Sequence, residues 1–286
     1  MKNKKIVRLK PLVPPRAVEK TYAKELLTMV GEMAKEYREI LAIYKDKRGQ
    51  IVGDSPTWLT TDVQNRLSKL GKKWQKRFAE YAQAKAPALV RKLLRMTDTQ
   101  LKSVLKDYLA ENQYTLVGEY VPTPLKQVMK AHVAENVALI KSIPFQYADR
   151  IEGAVYRAIT GAGTLKDLTA ELRKDGNITV RRAKLIAGDQ TRKIFTTMAV
   201  KRMESVGIRK FEWVHTIGDP HYHYRPYHKR RWDGVSGLKD GHPNGLNGFI
   251  FDMNHLPVIE ERTGQRGLPN QLPFCRCHMR PIITFD

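Results

Sequence analysis

The sequence predicts a mostly α protein, with long amphipathic helices in the N-terminal two thirds and a small C-terminal α+β unit rich in loops. Three observations predict it. Apolar residues recur at spacings of three and four through most of the first two hundred positions. After Gly207 that period stops, and short alternating stretches between clusters of Gly, Pro and Asn take over. Seven of the eight histidines and both cysteines lie between His215 and His278, so metal-capable side chains are concentrated in the non-helical part.

Taken in order, residues 1–16 carry six Lys or Arg, no acid and three prolines. Pro14 and Pro15 forbid a helix there, so the segment reads as a basic extended arm. It is either a tether onto nucleic acid or a neighbouring subunit, or a free terminus. Its apolar stretch is interrupted by Lys10 and Pro11, which fits an arm better than a signal peptide.

Residues 17–47 form one stripe through Val18, Tyr22, Leu26, Met29, Met33, Tyr37, Ile40 and Tyr44. Ser55-Pro56 is a helix start, and Val63, Leu67, Leu70, Trp74, Phe78 and Tyr81 continue a second stripe that can pair with the first as a hairpin. Two further helices are expected over 87–96 and 97–112, the latter opened by a capping box, Thr97-x-x-Gln100. Residues 113–122 read as an extended break, and Thr123-Pro124 opens the next helix. A separate helix follows from Phe145 to Thr160. A short one is capped by Thr164-x-x-Asp167, and a long one is capped by Thr179 and stopped by Gly207. Beyond it, FEWVHT is a strand with Phe211 and Trp213 on one face, and MRPIITF is a second strand whose Pro281 places it at an edge or a bulge. The resulting division is an arm (1–16), a helical region (17–120), a second helical core (121–207) and a small β-rich Cys/His unit (208–286).

The formal net charge of +22 is the strongest global feature. Self-repulsion on that scale opposes compaction unless a polyanion is nearby, and nucleic acid is the first candidate. Lys2, Lys4, Lys5 and Arg8 of the arm, with Lys72, Lys73, Lys76 and Arg77 beside Trp74 and Phe78, are the candidates for nonspecific phosphate contact. The two aromatics fall on the core stripe, which makes the second cluster a solvated basic face and not a base-stacking platform. No apolar run approaches the roughly 20 residues of a membrane-spanning helix.

Cys275 and Cys277 are one residue apart, too close for an unstrained disulfide, which fits a reducing, intracellular setting. They are metal ligands or two packed thiols. In an extended segment both side chains leave the same face, so both sulfurs can meet one ion, a structural zinc being the fitting cofactor. His228 is the third candidate ligand on the family resemblance given below, which brings its segment back to the Cys275–Cys277 turn. A fourth is open among His221, His223, His242, His255 and His278. No catalytic residue is assigned: a glycine-rich phosphate loop, a nucleophile elbow and an H-E-x-x-H pair are all missing. The string from His242 to His255 could suggest a metal-dependent nuclease, but Leu256-Pro257 argues against the helix such a site needs after His255.

The C-terminal pattern resembles the head-morphogenesis, or minor head, proteins of tailed bacteriophages, the group typified by the phage Mu F protein. The matching residues are Trp213, Gly218-Asp219, Arg225-Pro226, His228, Asp233-Gly234, Gly241-His242-Pro243, Pro273, Cys275-Arg276-Cys277 and Pro281. Upstream, Asn136 with the run from Leu139 to Pro144, and the run from Arg182 to Thr191, are similar to two further segments of that family, so the resemblance covers about residues 130–283. The HYHY stretch before Arg225 and Trp232 depart from the family pattern. The resemblance implies a non-enzymatic structural protein, made in the bacterial cytoplasm and housed in the virion head interior or near the portal. Its partners would be portal or major capsid subunits, double-stranded DNA bound nonspecifically, and other copies of itself. It would act in head assembly and DNA ejection, with Trp213, Asp219, Arg225, Asp233 and Gly234 organising the C-terminal unit. A metal-dependent nuclease and a plain nonspecific DNA-binding module are the alternatives.

Overall fold

The computed structural model describes residues 6–43, 57–112, 121–159, 165–216, 225–230 and 245–284. In chain order the elements are β1 (Ile6–Arg8), α1 (Arg16–Ala42), α2 (Thr57–Val104), α3 (Lys106–Glu111), α4 (Thr123–Ile159), α5 (Leu165–Ser205), β2 (Lys210–Val214), α6 (Pro226–Lys229), β3 (Ile250–Asp252), β4 (Val258–Glu260), β5 (Gln265–Arg266) and β6 (His278–Thr284). The chain is therefore mostly α, with its strands gathered near the C-terminus apart from β1. None of the described helices is long and apolar enough to cross a membrane.

Two compact units emerge, each assembled from separate stretches of the chain. One combines Glu19–Ala88 with Val133–Ala187; the other combines Met1–Val18, Leu89–His132 and Gly188–Asp286.

The first unit is helical. Its core takes Tyr22, Leu26, Met33 and Tyr37 from α1, Leu67, Trp74 and Phe78 from α2, and Ile140, Ile143, Tyr147 and Ile151 from α4, all nearly inaccessible. The expected α1–α2 hairpin forms and is antiparallel, because Glu25, Glu32 and Glu36 meet Tyr81, Arg77 and Lys73 in reverse order. Trp74 stays on the core stripe and donates its indole N–H to Glu36 at 3.0 Å. Lys73 and Arg77 lie 5.8 and 4.7 Å from its ring centroid. Tyr22 donates to buried Asn136 at 2.6 Å.

Several expected helix boundaries are absent. Pro87 and Pro144 lie inside α2 and α4. An interior proline costs about 3 kcal/mol, but splitting the helix would expose several core side chains worth about 1.5–3 kcal/mol each, so burial wins. Thr97 is not a cap: it is buried within α2, and its hydroxyl donates back to the Leu93 carbonyl at 2.8 Å. Thr179 does the same to Asp175 within a continuous α5. The Ser55-Pro56 start, all but the last two residues of the 113–122 break, and Thr164 lie outside the described residues. Pro124 does open α4, and Gly207 does end α5. At φ +79° Gly207 closes a Schellman motif, with Ile208 N–H donating to Met203 and Gly207 N–H to Glu204.

The second unit carries the sheet, ordered β1-β6-β2-β3 with every pairing antiparallel, beside a β4-β5 ribbon. Phe211 and Trp213 face one side as expected, and they pack with Phe195, Ala199 and Met203 of α5 and Leu101 and Leu105. Two expectations need correction here. Residues 6–12 are not a free arm: β1 pairs with β6, and buried Leu12 bridges Met279. Gln100, freed from any capping box, brackets the Val13 backbone instead, accepting from its N–H at 2.9 Å and donating to its carbonyl at 3.3 Å. Nor is β6 an edge strand. Pro281 faces Phe211 in register, while its carbonyl accepts from Leu9 N–H at 3.2 Å. Its missing donor therefore falls on the β1 side, just where that short strand ends, so an interior strand tolerates the proline.

At the centre of this unit Arg202 donates twice to Asp98, at 2.8 and 3.0 Å, with both side chains almost fully buried. Burial still pushes the Asp98 carboxyl above its usual range, with Arg202 opposing. The pair thus holds geometry more than it adds stability. Asp98→Ala, which strands a buried guanidinium, is expected to lower stability by about 3–5 kcal/mol in chemical denaturation. Asp98→Leu with Arg202→Met should bring stability back to the parent value or above it.

Candidate metal centre

Among the described residues, His228, Cys275 and Cys277 form a buried cluster whose ligand atoms lie within 4.8 Å of one another. Three short segments deliver them. Arg225 is extended and Pro226 begins α6, which puts His228 one turn in and buries it beneath Trp213. The two rings meet edge to face with centroids 5.0 Å apart. Cys277 immediately precedes β6, and Cys275 ends a tight turn closed by its own N–H on the Leu272 carbonyl at 3.1 Å.

That turn is unusual. Asn270 and Phe274 both have positive φ, +70° and +61°, which asparagine accepts and phenylalanine resists. Its strain is held from α5. Both Asp189 carboxylate oxygens accept the Phe274 N–H, at 3.1 and 3.2 Å, and Asn270 donates to Thr196 at 2.9 Å. Arg192 donates to the same Asp189 at 2.6 Å. From the other side, Arg225 donates to the Pro273 carbonyl at 3.2 Å. Asn270 N–H then points at the Cys275 sulfur, 3.4 Å away.

His228 Nε2 lies 2.8 Å from the Ile259 carbonyl. A carbonyl can only accept, so Nε2 carries the proton and Nδ1 presents its lone pair. Nδ1 stands 3.7 Å from Cys275 Sγ and 3.9 Å from Cys277 Sγ. For a tetrahedral zinc with bonds of about 2.3 Å to sulfur and about 2.05 Å to nitrogen, neighbouring S and N ligands are about 3.6 Å apart. The cluster is within a few tenths of that spacing. A ligating imidazole whose other nitrogen donates to a backbone carbonyl is the usual metal-site arrangement.

The electrostatics favour a sulfur anion. Chiefly the Cys277 thiol holds the Cys275 thiol well below its ordinary range against the effect of burial, and the same contact pushes Cys277 up. Burial holds His215 low, with His228 and Lys229 adding to the shift. Both cysteines are only 1% exposed, so an external substrate cannot reach either sulfur as a nucleophile. A soft divalent cation is what this donor set can hold.

The sequence-derived site residues distribute unevenly. Trp213, Arg225, His228, Cys275 and Cys277 come together, whereas Asp219, Asp233 and Gly234 lie outside the described residues, as do His221, His223 and His242. His278 is burial-shifted down to about 4 and alternates with Cys277 along the chain, which turns it from the cluster. His255 is exposed in a tight turn leading to β4, so no helix follows it. His132 is buried in α4. Among the phosphate candidates, Arg8 pairs with Glu212 at 2.9 Å, and Lys73 and Arg77 with Glu36 and Glu32, each at 2.7 Å. Lys72 and Lys76 are exposed, Lys76 lying 3.9 Å from Glu80 on the same helix, and Lys2, Lys4 and Lys5 lie outside the described residues. Two participants were given no site role from the sequence: Asp189, which lies in the family-like run from Arg182 to Thr191, and His215. His215 Nδ1 is 3.7 Å from Cys277 Sγ. The strand alternation that pairs Phe211 with Trp213 reaches His215 at its next step.

Removing the Asp189 carboxylate takes away charge-assisted hydrogen bonds worth about 1.5–3 kcal/mol to the turn. Asp189→Ala is expected to make the two thiols react with an aromatic disulfide reagent at least about tenfold faster, with helix content unchanged. Thiols as slow as the parent's would deny Asp189 that bracing role.

No protein family matches the chain, and no solved structure does. A protein of Haemophilus influenzae, described only as uncharacterized, is 28% identical over 159 residues. The match takes in 56% of this chain and 30% of the relative, so the chain spans less than a third of that protein's length.

Proposed function

We propose that this chain is a minor head protein of a tailed phage. In this reading it is a structural component that works beside portal or capsid subunits and packaged DNA during head assembly and ejection, and it catalyses nothing. Its C-terminal unit is fastened by one structural zinc ion on His228, Cys275 and Cys277. The observation that carries the reading is convergence. Residues in the order of the head-morphogenesis pattern, scattered from Asp189 to Cys277, meet around one buried turn. A shared sequence order is explained if those residues build one unit together. The net charge of +22 adds independent support, since a cationic protein inside a DNA-filled shell meets phosphate without reading bases.

Expressed with the portal, shell and scaffold proteins of its own phage, the full chain is expected to co-sediment with procapsids. Particles lacking it should package or inject poorly. Normal infectivity of a deletion phage, with no co-sedimentation, would overturn the reading.

Isolated protein should bind double-stranded DNA of any sequence, with affinity falling steeply as salt rises. Replacing exposed Lys72 and Lys76 by Ala should flatten the log–log salt slope by up to about 2, roughly 0.9 per lost phosphate contact. The same change at Lys73 and Arg77 should instead loosen the α1–α2 hairpin, because those cations already face Glu36 and Glu32. Gel-shift titrations across a salt series, alongside thermal melts, separate the two outcomes.

A further inference from the structure

We infer that His215 is the fourth ligand of the zinc centre, closing it as a Cys2His2 site with no coordination position left for water. This rests on the zinc reading above and specifies it.

His215 follows β2 directly, and its backbone N–H is pinned by Asn247 Oδ1 at 3.0 Å. Antiparallel pairing sets Val214 opposite His278, which brings the residue after β2 alongside the residue before β6, Cys277. Its ring approaches through Nδ1, the same atom His228 uses, at 3.7 Å from Cys277 Sγ. That matches the His228–Cys275 spacing and lies close to the about 3.6 Å edge of a tetrahedral S–N pair. His215 is itself buried, 9% exposed, so it occupies the interior position a fourth donor needs. Among the other histidines considered for that position, His255 is exposed and His278 turns away, leaving His215. It meets Cys277 but lies beyond 4.8 Å from at least one of the other two donors, so that binding would draw its ring in by a side-chain rotation.

Charge balance points the same way. Two thiolates neutralise Zn²⁺ and two imidazoles add no charge, so the complete set is neutral, which is the least costly form to bury. Three protein ligands and a water would instead make a catalytic type of site, able to generate hydroxide. A closed site cannot do that. His215 therefore separates a fastening from a nuclease centre.

The test uses the full-length chain, loaded with zinc for affinity and stoichiometry and with cobalt(II) for spectroscopy. The parent is expected to hold one zinc per chain. With cobalt(II) it should show thiolate-to-metal charge transfer and the strong visible bands of four-coordinate S2N2 geometry. His215→Ala should keep the charge transfer, alter the visible bands and weaken zinc binding at least about 100-fold, the upper end of what supporting residues alone contribute. His255→Ala should match the parent. X-ray absorption of the parent zinc protein should require two sulfurs and two imidazoles, and this decides the matter even if the His215 variant misfolds. An unchanged spectrum and affinity in His215→Ala, or a fit with a single imidazole, overturns the inference and moves the fourth ligand elsewhere. Absence of charge transfer in the parent removes the zinc centre as well. Co-sedimentation with procapsids is read without reference to metal, so the head-assembly reading stands or falls separately.

Discussion

The hydrogen bond from His228 Nε2–H to the Ile259 carbonyl determines what the buried cluster can be. Reversing that tautomer would aim an N–H at two sulfurs, and the group would become a small hydrogen-bonded network with no lone pair to share. The surrounding elements fix the choice. Ile259 belongs to β4, held against β5, and Arg225 with Pro226 starts α6 so that the ring faces inward. Trp213 covers the ring edge on. Each contact restricts ring rotation, which is how outer partners raise the basicity of a ligand and preserve its aim.

A second constraint acts on the sulfurs. Left to local preference, the turn before Cys275 would not keep phenylalanine at φ +61°, a conformation costing on the order of 1–3 kcal/mol. Asp189 stabilises it from α5, and Arg192 offsets the burial of that carboxylate. The strain is thus balanced by buried polar contacts from a rigid helix. The reason to sustain it lies one residue on, where Cys275 is turned toward His228.

Much of the fold was legible because burial has a period. The stripes through Tyr22, Leu26 and Met33, and through Trp74 and Phe78, are core in fact, and Phe211 with Trp213 share a strand face. Boundaries were less legible, for one physical reason. Pro87, Pro144, Thr97 and Thr179 are local signals, and continuous apolar stripes on either side outweigh them. Residues 6–12 were hidden because a three-residue strand has too little pattern to predict a partner some 270 positions away, and only tertiary pairing gives it a place. At the site, the pair of thiols and His228 could be read from spacing and resemblance. His215 could have been found by extending the strand alternation one step past Trp213. Asp189 fell in the family-like run from Arg182 to Thr191, but its role could not be read, since nothing in a helical sequence tells which carboxylate will meet a loop 85 residues later.

The cations carry a related lesson about function. Lys73 and Arg77 looked available for phosphate, yet each faces a glutamate of α1, while Arg8 shares Glu212 with Arg280. Such pairs are exposed enough to contribute little stability, and they divert those side chains from DNA without lowering the chain's total charge. What remains is a diffuse positive field, which suits crowding among phosphates and gives no register along a duplex. A nuclease needs the opposite, a metal with an open position and a path that brings one phosphodiester to it. Here the thiols are 1% exposed and the imidazoles are buried beside them, an arrangement unlike that open position. On the proposed reading, field and centre serve one role: nonspecific attraction to phosphate outside, and inside a fastening that would keep the small sheet in shape.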